Sequence, residues 1–122
     1  MQKVEGTTIK INRGDVLNLT LSVKNADGTA YTFNNGDKII FSIYNANGLD
    51  KAPVFSKEIN IDSPSETVSI GMTSQETKLG QLINKPVSYW YEIELNNQFT
   101  IIGYDDKGAK IFQLFPEGKK VQ

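Results

Sequence analysis

Leu17-Asn18-Leu19-Thr20-Leu21-Ser22-Val23 decides the fold class: apolar side chains hold the odd positions and small polar ones the even positions. A period of two sets one face of an extended chain against a core and the other in water, whereas an amphipathic helix needs a period near 3.6. Ile39, Phe41 and Ile43 repeat the pattern, as do Val68, Ile70 and Met72. Between Val87 and Leu95 the odd positions are Val87, Tyr89, Tyr91, Ile93 and Leu95, and the even face carries Ser88, Trp90, Glu92 and Glu94. Turn chemistry separates these runs at Arg13-Gly14-Asp15, Ala26-Asp27-Gly28, Asn34-Asn35-Gly36-Asp37, Asn45-Ala46-Asn47-Gly48 and Lys107-Gly108. Gly, Asn and Asp supply the left-handed backbone positions and local hydrogen bonds that tight turns require.

Residues 7–12, 54–61, 98–104 and 110–115 bring the expected total to about eight strands, a spacing that predicts an all-β, immunoglobulin-like antiparallel β-sandwich. The one helical signal is short. Thr73 followed by Glu76 is a capping-box pattern and Gly80 stands where a C-terminal cap would, so residues 74–79 read as a single helical turn joining two strands. No linker, repeat or low-complexity run interrupts the 122 residues, and 1–122 reads as a single domain. Leu17, Leu19, Leu21, Ile39, Phe41, Ile43, Val68, Ile70, Tyr91 and Ile93 are the expected core.

Composition removes whole classes of chemistry. With no histidine and no cysteine, Ser-His and Cys-His catalysis, zinc or haem on those residues, and disulfide scaffolds are excluded. Thirteen basic against fourteen acidic residues leave a net charge of -1, which provides no field for gathering phosphates, so no nucleic-acid partner is expected. The first ten residues contain Lys3 and Glu5 and no apolar h-region, so they do not read as a signal peptide. No stretch approaches the length of a membrane-spanning helix, and no membrane insertion is expected.

Several local patterns invite a functional reading, and each has a plainer one beside it. Arg13-Gly14-Asp15 spells an integrin-recognition tripeptide, but before a strand it is an ordinary turn. Asp50, Asp62, Asp105 and Asp106 could supply oxygens to calcium; no EF-hand spacing exists, and Asp105-Asp106-Lys107-Gly108 reads as a polar hairpin tip, so no metal or other cofactor is expected. Glu92 and Glu94 share one face of a strand, about 7 Å apart. Paired carboxylates hydrolyse glycosides in some enzymes, but two on an outer strand face are ordinarily solvated charges, and the chain is read as non-enzymatic. Trp90, on the outward face beside Glu92, could stack on a sugar or anchor a partner, with packing beneath an adjacent loop or a second sheet as the slightly favoured alternative. The last strands break the alternation: Phe99-Thr100-Ile101-Ile102 and Ile111-Phe112-Gln113-Leu114-Phe115 are apolar on both faces. One buried face per strand would leave part of Ile102, Tyr104, Phe112 and Leu114 at the surface, so these four with Trp90 form the expected interface of a homo-oligomer.

The order of these pieces resembles a known family. Gly14-Asp15 leads into Leu17-Asn18-Leu19-Thr20-Leu21, followed by Lys24-Asn25-Ala26-Asp27-Gly28-Thr29, Gly36-Asp37-Lys38-Ile39-Ile40-Phe41-Ser42-Ile43, Met72-Thr73-Ser74-Gln75-Glu76-Thr77, and Tyr89-Trp90-Tyr91-Glu92-Ile93-Glu94-Leu95. Over residues 9–103 this arrangement resembles the small β-sandwich of tailed-phage and prophage virion proteins, typified by the N-terminal domain of the baseplate upper protein. The resemblance implies a structural component of the baseplate, tail or head decoration or fibre. Such a component assembles in the bacterial host cytoplasm as a homo-oligomer, three-fold by preference, and docks onto other virion proteins. It carries over no catalytic residue. Family members often continue into a helical linker and further domains, and the segment from Gly103 to Gly118 lies beyond the part that aligns. A carbohydrate-binding or adhesive module, using aromatics around Trp90 on a host-surface glycan, is the alternative.

Overall fold

Alternating apolar residues become strands wherever a second layer is present to bury them. In the computed structural model, which describes residues 2–46 and 51–117, the strands are β1 (Gln2–Glu5), β2 (Thr8–Asn12), β3 (Leu17–Leu21), β4 (Lys38–Asn45), β5 (Phe55–Asn60), β6 (Val68–Met72), β7 (Val87–Leu95), β8 (Phe99–Ile102) and β9 (Lys110–Phe115). Asn47, Gly48 and Asp50, and the chain from Gly118 onward, lie outside the described residues. The large sheet runs β1-β2-β9-β7-β4-β5 with β8 also on β7, and β3 and β6 form a small sheet facing it, an arrangement consistent with a β-sandwich.

The chain is all-β, as the period predicts, but two details differ from expectation. The sheet is mixed, because β2 and β9 pair in parallel, Ile9 beside Phe112 and Ile11 beside Leu114. A ninth strand, β1, is exposed along its whole length and carries no apolar alternation to announce it. The expected helical turn is a single hydrogen-bonded turn, with Thr77 N–H donating to the Thr73 carbonyl at 3.1 Å, and no helix is present among the described residues. Among the described residues, no helix is therefore long and apolar enough to cross a membrane.

The core lies between the two sheets. Phe41 is fully buried at its centre, ringed by Tyr91 at 5.8 Å, Phe55 at 6.3 Å and Phe112 at 6.5 Å between ring centroids. The offset, edge-on arrangement of the first two suits the quadrupoles of aromatic rings. Nine of the ten expected core residues are buried; Leu19, midway along β3, is only partly so. β7 is the backbone of the large sheet. One edge pairs with β4 from Tyr89 to Leu95, while the other is shared end to end, Val87–Tyr91 taking β9 and Ile93–Leu95 taking β8 across a bulge. Asn96 and Asn97, both with positive φ near +57°, are the central residues of the turn that the Gln98 N–H closes on the Leu95 carbonyl at 3.0 Å, within the three-residue connection from β7 to β8.

Side chains tie the layers together at their margins. Lys57 on β5 donates to the Gly71 carbonyl on β6 at 2.7 Å and to Glu76 at 2.9 Å. The Gln2 side-chain amide clasps Asn18 on β3, donating to its carbonyl at 2.7 Å and accepting from its N–H at 2.8 Å. Arg13 reaches from the end of β2 to the Leu79 and Gly80 carbonyls at 3.2 and 3.0 Å and to Glu117 at 3.2 Å. Its guanidinium is therefore engaged inside the molecule, and with Gly14 at φ +91° the Arg13-Gly14-Asp15 tripeptide is a structural turn.

Candidate functional site

The registers of β4, β7 and β9 place Tyr44, Trp90 and Ile111 side by side across three adjacent strands. All three belong to the outward parity, opposite Ile43, Tyr91 and Phe112, and all are half-buried. Tyr104, 63% exposed, comes from the loop between β8 and β9 and lies against Trp90 with ring centroids 6.1 Å apart and planes tilted by 60°. The result is an aromatic and aliphatic stripe on the outside of the large sheet, where water-facing strands ordinarily carry polar residues.

Two polar features border the stripe. The Tyr44 hydroxyl donates to Glu92 at 3.1 Å. Burial, and then the nearby Glu92 charge, raise the Tyr44 phenol above its ordinary pKa. Glu94 is also raised, first by burial and then by Glu92, its neighbour on the same face. The loop that carries Tyr104 is pinned by Lys110, which meets Asp105 at 2.7 Å, while Asp105 and Gly108 close a tight turn through N–H···O bonds of 2.9 and 3.2 Å. The Lys110 ammonium, foremost, and the Lys107 backbone N–H hold the Asp105 carboxyl below its usual range. Gly103 lets this loop leave β8 closely, since a Cβ there would stand 2.6 Å from the Thr100 methyl and 3.4 Å from Glu92 Cβ.

Of the five expected interface residues, Trp90 and Tyr104 meet at the surface. Trp90 also has the loop packing foreseen for it. Phe112 and Leu114 do not belong there: both are fully buried, because the even positions of β9 continue the inward row of Tyr89 and Val87. Ile102 is half-buried beside Ile93, at the opening between the sheets. The outward residues of β9 are instead Ile111, Gln113 and Phe115. Tyr44 and Ile111 were missed, although parity could have found them, since Ile43 and Phe112 as core residues leave their neighbours facing out. Asp105 is taken up by Lys110 and the hairpin, Asp50 lies outside the described residues, and no three carboxylates converge among the described residues.

A scan against protein-family models, a search of curated proteins and a search of solved structures each return no match.

Proposed function

We propose that this chain is a non-catalytic structural protein of a tailed-phage or prophage virion, in the baseplate, tail or head decoration or fibre, acting by homo-oligomeric assembly and docking to other virion proteins. The observation that carries the docking is the Tyr44–Trp90–Ile111 row with exposed Tyr104 against it. An apolar stripe with a wide aromatic at its centre is the composition of a protein–protein contact, where tryptophan and tyrosine contribute most of the binding energy. The virion setting rests on the resemblance in motif order over residues 9–103, and with it the place of assembly, the host cytoplasm, and the preferred three-fold symmetry.

Light scattering of the purified chain at micromolar concentration tests assembly, with Trp90→Ala and Ile111→Glu as variants. The expected result is an oligomer that both variants convert to monomer without loss of fold. A monomer at every concentration, with no co-assembly alongside proteins encoded by neighbouring genes, overturns the reading. Those genes should include tail, capsid or lysis genes.

Carbohydrate binding is the second reading, favoured by one observation: Trp90 and Tyr104 present a tilted aromatic pair beside the Glu92 carboxylate, the combination of stacking face and acceptor that sugars use. Trp90 is the only tryptophan in the chain, so its emission reports the site directly. Saturable quenching by a glycan, abolished in Tyr104→Ala, would promote this reading over the first.

A further inference from the structure

The small sheet has two strands and therefore two open edges. On β3 the Asn18 N–H and carbonyl point away from β6, because the Gln2 amide takes both. Strand geometry then turns the backbone groups of Thr20, two residues on, to the same side. There they have no partner among the described residues, and neither do those of Ser22. Several other margins of the fold are guarded by charge, though not the Phe99–Ile102 edge of β8: β1 carries Lys3 and Glu5, β5 carries Lys57 and Glu58, and Lys57 caps β6 at Gly71. Charged residues of this kind deter strand addition. The β3 edge beyond Asn18 has none.

That edge opens onto a groove of about 490 Å³, within the size range of ligand sites. Its floor is the inward face of the large sheet, Ile9, Tyr91 and Ile93, with Leu19, Leu21 and Ile102 at the sides, and no charged side chain lines it. The partial exposure of Leu19, unlike its fully buried neighbour Leu17, follows from this opening.

We infer that the β3 edge and this groove form an acceptor site for an extended peptide strand from another protein, added to β3 by backbone hydrogen bonds at Thr20 and carrying apolar side chains at alternate positions. The occupant's chemistry is already displayed within the molecule. A primary amide, the side-chain counterpart of a peptide group, makes at Asn18 the paired donor and acceptor bonds that a strand residue would make at Thr20. The groove supplies the second requirement, since every other side chain of an added strand would point between the sheets onto Tyr91 and Ile93. Its lack of charge selects a neutral, apolar segment. Main-chain bonds give such a complex its affinity, and the alternate side chains its selectivity. The site is on the opposite side of the large sheet from the Trp90 stripe, so its test is independent of the function proposed above.

The probe is a capped peptide of alternating threonine and valine with a lysine at each end, labelled for fluorescence anisotropy and followed in parallel by amide hydrogen exchange. Saturable binding below roughly 1 mM is expected, together with slowed exchange at Thr20 and no change in Trp90 emission. Binding should weaken at least tenfold in Thr20→Pro. Should that variant fold poorly, the same peptide N-methylated at alternate amides makes the comparison on the unaltered protein, and it should not bind. Three results overturn the inference. One is no saturable binding; another is equal binding by the N-methylated peptide. The third is a Thr20 amide already protected in the free chain, or protected in step with protein concentration, which would mean that the edge is covered by the chain itself or by a second copy.

Discussion

Phe41 shows at the scale of a single residue what holds the sandwich together. Its ring touches aromatic neighbours from three other strands, so truncation leaves a cavity that none of them can fill alone. Phe41→Ala is expected to cost about 3–5 kcal/mol, read as a lower midpoint in urea denaturation. Tyr91 makes a different case. Burial pushes its phenol up to about 12, while its hydroxyl donates to the Thr7 carbonyl. A folded pKa above the unfolded value of about 10 means that the neutral form is favoured by folding. The linked stability is complete below the unfolded value and is lost as pH rises through the folded one. Wild type should thus lose stability between about pH 10 and 12, and Tyr91→Phe should lose less over that window in denaturation curves taken at each pH. The same buried rows show what was legible in the sequence. Parity put Leu17, Phe41 and Ile93 in the core without any structure. It failed at Phe112 and Leu114 because β9 is apolar on both faces, and only the partners across the sheet decide which face turns inward.

At the scale of elements, the single turn after β6 is a capping box in full: Glu76 N–H donates to Thr73 Oγ1 at 3.1 Å, and Thr73 N–H donates to the Glu76 carboxylate at 2.9 Å. Four nearby residues carry that pattern in the sequence, and local hydrogen bonds suffice to form it, which is why it was readable. Thr73→Ala should lower stability by about 0.5–2 kcal/mol, measured by thermal unfolding. The Thr73 N–H, foremost, and Lys57 hold the Glu76 carboxyl below its ordinary range. Its folded pKa is depressed, so its contribution is present above the unfolded value and is lost as pH falls through the folded one. Glu76→Gln should flatten the acid limb of a stability–pH curve. The loop from Gly103 to Gly108 is the other element with a readable consequence: Tyr104→Ala uncovers Trp90, and its emission should move to longer wavelength with little change in stability. By contrast, β1 and the parallel β2–β9 pair were not legible. An exposed strand has no apolar rhythm, and a pairing between distant segments leaves no mark in either one alone.

At the scale of the whole molecule, the large sheet is joined only when β9 pairs with β2, two strands far apart in sequence. Asn12 donates to the Pro116 carbonyl at 2.7 Å across a separation of 104 residues, and the parallel β2–β9 ladder runs beside it. This connectivity governs when the protein can fold during synthesis. While a ribosome is still making residues 110–115, β2 lacks its β9 neighbour, and the Val87–Tyr91 half of β7 exposes an unpaired edge together with the Phe41 cluster. Non-local β topologies of this kind fold on a scale of roughly milliseconds to seconds, and stopped-flow refolding should show a single phase in that range, slowed by dilution of contacts such as Ile11→Ala. Stalled nascent chains lacking residues 110–115 should be cut rapidly by protease, and chains extended past Glu117 and clear of the exit tunnel should resist. Until β9 emerges, the order of translation leaves the free side of β2 and the Val87–Tyr91 half of β7 open to the wrong partners.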